Sequence, residues 1–126
     1  MSASLPPSPL PLSALGDARQ LAAVLHELAA TIDARAGGDA ATSYTAQLLA
    51  KGAGACAKKL GEEGVEAALA VSSQGEAEVA AEAGDVLYHL LVALRSRGVT
   101  LDDVAAVLAN RQGLSGLAEK ASRPKG

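Results

Sequence analysis

The sequence has no tryptophan and no phenylalanine, and its aromatic side chains are limited to two tyrosines. Hydrophobic residues make up 49% of the 126 positions, so alanine, leucine and valine must supply nearly all of the packing. Sheets favour β-branched and aromatic residues, whereas small side chains suit close contact between helices. We therefore expect an all-α fold, a bundle of about four to five helices. A core with few large side chains stabilises a small subunit only marginally, so we expect a homodimer to complete the bundle.

Cysteine is nearly absent too, since Cys56 is the single one. It cannot form an intrachain disulfide, and with no histidine close by in the sequence it is predicted to pack between helices. The first residues lack a basic segment typical of signal peptides, and no apolar run approaches the roughly 18 residues of a membrane span. A formal charge of -3 gives no overall basic character, so no nucleic-acid partner is expected. These features predict a soluble, cytoplasmic protein without membrane contact.

Proline and glycine divide the chain into segments. Residues 1–14 are rich in serine and proline and are predicted to be a disordered extension. Residues 15–126 form the predicted all-α domain, which ends in a basic tail. Apolar residues at helical spacing, serine or threonine at helix starts and glycine at helix ends predict five helices. They cover about 15–36, 43–52, 54–71, 76–97 and 100–112.

Lysine and arginine are missing between Glu62 and Asp85, although seven acidic residues lie in that interval. A helical repeat places Glu62, Glu63 and Glu66 within about 100° of the third helix, with Lys59 in the same arc. A solvated stripe usually mixes both signs, and like charges one turn apart cost a few tenths of a kcal/mol. Repulsion on this stripe must therefore be offset by another group.

A second acidic stripe follows on the fourth helix, where Glu82 and Asp85 lie within an arc of about 60° that also holds Glu78 and His89. The pairs Glu63 with Glu66 and Glu82 with Asp85 supply only oxygen ligands, which Mg²⁺ prefers and Mn²⁺ also accepts. Iron centres in helix bundles use Glu-x-x-His pairs, and zinc sites use histidine and cysteine. Neither pattern occurs here, so Mg²⁺ or Mn²⁺ is the predicted cation.

Two glycines interrupt the acidic stripe of the third helix. Gly61 and Gly64 each cost about 0.8 to 1 kcal/mol relative to alanine inside a helix. Such positions suggest that another helix or a ligand comes close. Glycine-rich nucleotide motifs of the Walker and dinucleotide-binding types are absent from the sequence, so phosphate would be bound by basic side chains or by a helix start such as Ser43.

Four segments resemble a known family. Glu62-Glu63-x-x-Glu66 followed by Glu82-x-x-Asp85 resembles the MazG-like all-α nucleoside triphosphate pyrophosphohydrolases. The surrounding segments are similar to the phosphoribosyl-ATP pyrophosphohydrolases of histidine biosynthesis, over about residues 18–125. These segments are SYTAQLLAKG at 43–52, CAKKLGEEGVEAALA at 56–70, GDVLYHLLVAL at 84–94 and GLAEKASRPK at 116–125.

The resemblance implies Mg²⁺-dependent hydrolysis of 1-(5-phosphoribosyl)-ATP to 1-(5-phosphoribosyl)-AMP and pyrophosphate by a cytoplasmic homodimer. It also implies that the five acids form the catalytic site. Gly64 departs from the family pattern, where alanine is expected. The cyclohydrolase domain that some members carry for the next step is not seen in this sequence, so one reaction is expected.

A mechanism can be assigned to these residues as a hypothesis. Glu62 is our choice to direct the attacking water, and the other four acids are expected to coordinate the metal. Phosphates of the substrate are expected to contact basic side chains of the second and third helices and of the tail. These are Lys51, Lys59, Lys120, Arg123 and Lys125.

Two other functions fit the acidic motif. One is a housekeeping pyrophosphohydrolase of ordinary or damaged nucleoside triphosphates. The other, from a different class, is a non-catalytic helical dimerisation module whose acidic face binds a basic partner. A module of that kind would tolerate replacement of its acids by amides, whereas an enzyme would not.

Overall fold

Five helices form the part of the chain that the computed structural model describes, residues 16–112. They are α1 (Ala18–Arg35), α2 (Tyr44–Lys51), α3 (Ala53–Ser73), α4 (Glu76–Ser96) and α5 (Leu101–Gln112). No strand occurs among these residues. The predicted all-α class and all five predicted helices are confirmed. The predicted extension at 1–14 and the basic tail lie outside the described residues.

Polar side chains cap the N-termini of three helices. The Ser43 hydroxyl accepts a hydrogen bond from the backbone N–H of Ala46 at 3.1 Å, and Asp17 accepts one from Arg19. At α5 the Thr100 hydroxyl accepts from the Asp103 N–H, while the Asp103 carboxylate accepts from the Thr100 N–H. These bonds satisfy donors that a helix start leaves unpaired. The predicted caps at Ser43 and Thr100 are therefore confirmed.

The α3–α4 hairpin is the centre of the fold. These two 21-residue helices form the most extensive helix pair, and the short turn between them makes them antiparallel. Helix α1 packs on α4, and α2 contacts both α3 and α4. The core where they meet contains one or two side chains from each of α1 to α4. Its members are Ile32, Leu48, Cys56, Leu91 and Val92.

Cys56 is part of this core, as predicted. It is buried, and its thiol donates to the backbone carbonyl of Leu48 at 3.4 Å. Helix α5 contributes no buried residue. Among the described residues, none of the helices is long and apolar enough to cross a membrane.

Gly61 and Gly64 do not mark a close contact between helices of this chain. A Cβ atom added at either position would meet no heavy atom within 4 Å outside the local helix backbone. That part of the prediction is wrong for the described residues. Approach by a ligand or a second subunit stays a prediction.

Candidate active site

Three carboxylates meet across the α3–α4 hairpin. One oxygen from each of Glu63, Glu66 and Glu82 lies within 4.8 Å of the other two. Glu63 and Glu66 occupy adjacent turns of α3, and the antiparallel packing of α4 brings Glu82 opposite them. Glu63 is only 7% exposed, Glu82 is half-buried and Glu66 is exposed. The cluster therefore extends from the protein interior to solvent.

The other two predicted acids do not belong to this cluster. Glu62 has a side chain that is 52% exposed, with an oxygen 3.9 Å from the Lys59 ammonium. Asp85 lies one turn beyond Glu82 on α4 and is half-buried. Its backbone carbonyl accepts a hydrogen bond from His89 Nδ1 at 2.8 Å. The structure thus brings together three of the four predicted metal ligands.

Lys59 compensates part of the negative charge. Its Nζ lies 3.2 Å from Glu63 Oε1, one helical turn away. Burial raises the pKa of the Glu63 carboxyl, but hydrogen bonds from Lys59 and Glu66 and the proximity of His89 outweigh it, so the net shift is downward. Glu63 is therefore held ionised, and the Lys59 ammonium is bound to carboxylates rather than pointing freely into solvent.

Glu66 is affected in the opposite direction. The hydrogen bond with Glu63 and the negative charge of that residue raise the pKa of Glu66, and Glu82 adds to the effect. Two neighbouring carboxyl groups cannot both ionise without repulsion, so one keeps its proton to higher pH. A cation in the cluster would replace that proton.

Glu82 supplies independent support for a cation. Its Oε2 atom is buried and has no hydrogen-bond partner among the described residues. A buried polar atom without a partner costs about 1 to 3 kcal/mol, and more when it is charged. Because the cluster offers only carboxylate oxygens, the cation that fits it is a hard divalent ion such as Mg²⁺.

Beside the acids, four side chains join the start of α2 to α4. The Tyr44 hydroxyl lies 3.3 Å from His89 Nε2, and the Thr45 hydroxyl is hydrogen-bonded to the Tyr88 hydroxyl. The Tyr44 and Tyr88 rings are nearly parallel with centroids 6.4 Å apart. The Tyr88 and His89 rings meet edge to face at 4.9 Å. Both tyrosines of the chain therefore belong to one network.

Sequence reasoning found part of this network. The sequence places His89 on the acidic stripe of α4, and in the structure it is buried and bonded to the Asp85 backbone carbonyl. Tyr44, Thr45 and Tyr88 were not singled out. The available signal was that SYT and LYH both lie in segments that resemble the family.

The predicted phosphate-binding residues are spread more widely. Lys51 is the exposed last residue of α2, whereas Lys59 lies in the acidic site. Lys120, Arg123 and Lys125 lie outside the described residues. A cleft of about 370 Å³ opens between α1, α4 and the start of α5, and none of the five acids lines it.

The fold is all-helical, and its cluster offers only carboxylate oxygens, which could hold a hard cation. Residues 25–112 match the family model described as Phosphoribosyl-ATP pyrophosphohydrolase. The chain belongs to this family, which confirms the resemblance.

Curated relatives agree with this membership. A protein of Ruegeria pomeroyi named phosphoribosyl-ATP pyrophosphatase is 57% identical over 103 residues, which cover 82% of this chain and 98% of the relative. A protein with the same name from another Ruegeria species has the same identity and coverage. Phosphoribosyl-ATP pyrophosphatase 1 of Rhodopseudomonas palustris is 52% identical over 101 residues, covering 80% of this chain and 94% of the relative.

The repulsion between Glu63 and Glu66 is testable through stability. Glu66→Gln should stabilise the metal-free protein at pH 8, because wild-type Glu66 is then ionised beside Glu63. The gain should disappear as pH falls through the raised pKa of Glu66, since the protonated wild-type side chain is already neutral. Urea unfolding in EDTA at pH 8 and pH 4 measures this.

Glu27→Gln, on the exposed surface of α1, is the matched control and should change stability little at either pH. A Glu66→Gln variant that is less stable than wild type at pH 8 would contradict the repulsion.

Proposed function

We propose that the chain hydrolyses 1-(5-phosphoribosyl)-ATP to 1-(5-phosphoribosyl)-AMP and pyrophosphate, the second step of histidine biosynthesis. The observation that carries this proposal is the Glu63, Glu66 and Glu82 cluster in a chain of the phosphoribosyl-ATP pyrophosphohydrolase family. The cytoplasm is the proposed compartment, because a single buried free thiol is typical of proteins in reducing surroundings.

Mg²⁺ is the proposed cofactor, and Mn²⁺ would fit the same ligands. Glu63, Glu66 and Glu82 would hold it, and Asp85, one turn further along α4, is proposed as a further ligand. When bound, the ion would act as a Lewis acid and neutralise negative charge on the triphosphate. The buried Oε2 of Glu82 supports this assignment, because it needs a partner that the described residues do not provide.

Glu62 is the proposed residue for directing water. It lies outside the three-carboxylate cluster and is half-exposed, so its carboxylate can orient a water molecule or accept a proton from it. Lys59 contacts both Glu62 and Glu63 and would hold the two carboxylates in place on α3. Release of one carboxylate would let the ammonium bind a phosphate oxygen. Lys51 and the tail residues Lys120, Arg123 and Lys125 are proposed as further phosphate contacts.

Substrate choice is tested by measuring pyrophosphate release from phosphoribosyl-ATP and from a panel of ribo- and deoxyribonucleoside triphosphates. We expect kcat/KM for phosphoribosyl-ATP to exceed that for each other triphosphate by at least about tenfold, because the extra sugar phosphate adds contacts. Activity should disappear in EDTA and return with Mg²⁺. Equal activity on the panel would favour the housekeeping function, and no activity on any triphosphate would favour the dimerisation module.

The metal assignment is tested with Glu63→Gln, Glu82→Gln and Asp85→Asn. Each variant should lose at least roughly 100-fold in kcat while keeping its helical circular dichroism spectrum. The Mg²⁺-induced rise in melting temperature should shrink in the same variants, which gives a readout besides turnover.

Glu78→Gln is the matched control, because Glu78 is exposed and lies on the same stripe of α4 one turn before Glu82. It should keep both activity and the Mg²⁺ response. Wild-type activity in Asp85→Asn alone would restrict the site to the three clustered acids, and wild-type activity in all three variants would overturn the site.

A homodimer is proposed because one subunit leaves large apolar side chains uncovered. Val65 and Leu69 lie one turn apart on α3 and are 60% and 56% exposed. Only seven hydrophobic residues are buried in the described chain. Gly61 lies on the same face of α3, where it leaves room for a second subunit. An apolar helix face of this kind is typical of an interface rather than of a solvated surface.

The dimer is tested by sedimentation velocity. Wild type should sediment as about twice the 12.5 kDa subunit, and Leu69→Glu should shift the population towards the subunit mass, because a buried unpaired charge is costly at an interface. Gln20→Glu, exposed on α1 rather than on this face of α3, is the control for added charge. A wild-type protein that sediments as a single subunit would contradict the proposal.

A further inference from the structure

Tyr44 combines exposure with tight positioning. It is 45% exposed, yet its hydroxyl bonds to His89, a side chain that is only 7% exposed. One ring face lies towards Tyr88. The hydroxyl is bonded to His89, so the ring is fixed although much of the residue is accessible. An aromatic ring held in this way presents a fixed apolar surface.

The direction of each hydrogen bond follows from the partners. The Asp85 backbone carbonyl can only accept, so His89 Nδ1 carries the proton of their 2.8 Å bond. In the neutral imidazole Nε2 then accepts from the Tyr44 hydroxyl. His89 thus connects the α4 turn that carries Asp85 to the first residue of α2, and it sets where the Tyr44 ring lies.

The ring also lies beside the acidic site. Its hydroxyl bonds to His89 Nε2, and His89 Nδ1 bonds to the backbone carbonyl of Asp85, one turn beyond Glu82. In keeping with this placement, the pKa of Tyr44 is raised by burial of its hydroxyl and by the charges of Tyr88, Glu63 and Glu62, while Lys59 lowers it. A ligand whose phosphates reach the cluster would therefore have the Tyr44 ring close to the rest of its structure.

We infer that the Tyr44 ring is a stacking contact for the purine base of the nucleotide, and that His89 is the positioning residue that holds it. This inference rests on the proposed function for the identity of the nucleotide. A phosphate would be a poor match for the ring, because the exposed surface is uncharged and the hydroxyl is already bonded. A base offers a planar π face, and base–aromatic stacking is worth roughly 1 to 3 kcal/mol per base, about 5- to 150-fold in affinity.

The base contact is tested by equilibrium binding in Mg²⁺ of two probes. α,β-Methylene-ATP carries a purine and a bridge that the proposed reaction cannot cleave, and pyrophosphate carries no base. Measured by calorimetry, Tyr44→Ala should raise the Kd of the nucleotide roughly tenfold. The Kd of pyrophosphate should stay within about twofold of its wild-type value. Tyr44→Phe, which keeps the ring, should lose less than Tyr44→Ala.

The chain offers a direct spectroscopic readout, because Tyr44 and Tyr88 are its only tyrosines and it has no tryptophan. The nucleotide should quench the tyrosine fluorescence of wild type, and most of that quenching should be absent in Tyr44→Phe. Unchanged nucleotide affinity in Tyr44→Ala would overturn the inference, as would an equal loss for both probes or a wild type that binds no nucleotide.

The role of His89 is tested by a double-mutant cycle. His89→Asn keeps a donor near the Asp85 carbonyl and removes the acceptor for Tyr44, so it should weaken nucleotide binding severalfold in wild type. In the Tyr44→Ala background it should have little further effect. Additive losses would show that His89 does not act through Tyr44.

Turnover separates this inference from the proposed function. If wild type releases no pyrophosphate from phosphoribosyl-ATP while the binding pattern is as expected, the proposed reaction fails and the base contact stands. If turnover is as proposed and Tyr44→Ala binds the nucleotide normally, the base contact fails alone.

Discussion

The burial of one carboxylate, Glu63, constrains the rest of the site. An ionised carboxylate in the interior is costly unless charges and donors surround it. Lys59 provides the charge at 3.2 Å, and the hydrogen bond with Glu66 provides a donor whenever that group is protonated. Both partners occupy α3 one turn either side of Glu63, so the compensation is local and needs only a continuous helix. The contribution of α4 is Glu82, whose buried oxygen has no partner within the described part of the chain.

Helix α2 extends this arrangement away from the acids. Its first two residues are bonded to α4 through Tyr44 with His89 and Thr45 with Tyr88, and its apolar side packs Leu48 into the common core. A chain with few large side chains thus uses its two tyrosines where they stabilise a helix crossing through both ring contact and hydrogen bonds.

The helices could be predicted from the sequence because their signals are local. Ser43 and Thr100 cap the helices that they were predicted to cap, and glycine ends α2 and follows α4. The pairing of acids across helices could not be predicted to the same detail. The helical repeat predicts that Asp85 and Glu82 lie on one side of α4. Which of them meets Glu63 and Glu66 depends on how far α4 is shifted along the axis of α3, and core packing sets that shift. For the same reason Gly64 gave no information about which face α4 would cover, and the exposure of Tyr44 could not be read from a helix start alone.

Repulsion within the site has a consequence for its empty and occupied states. Glu63 and Glu82 raise the pKa of Glu66, and a buried Glu82 oxygen has no partner among residues 16–112. Both penalties apply to the folded chain and are absent in the unfolded one, where the acids are far apart and solvated. A divalent ion, if this site holds one as proposed, would relieve both, and its binding energy would include that relief. Stability and metal affinity would then be opposed in this hairpin, because a substitution that lowers the repulsion would also remove part of the driving force for metal binding.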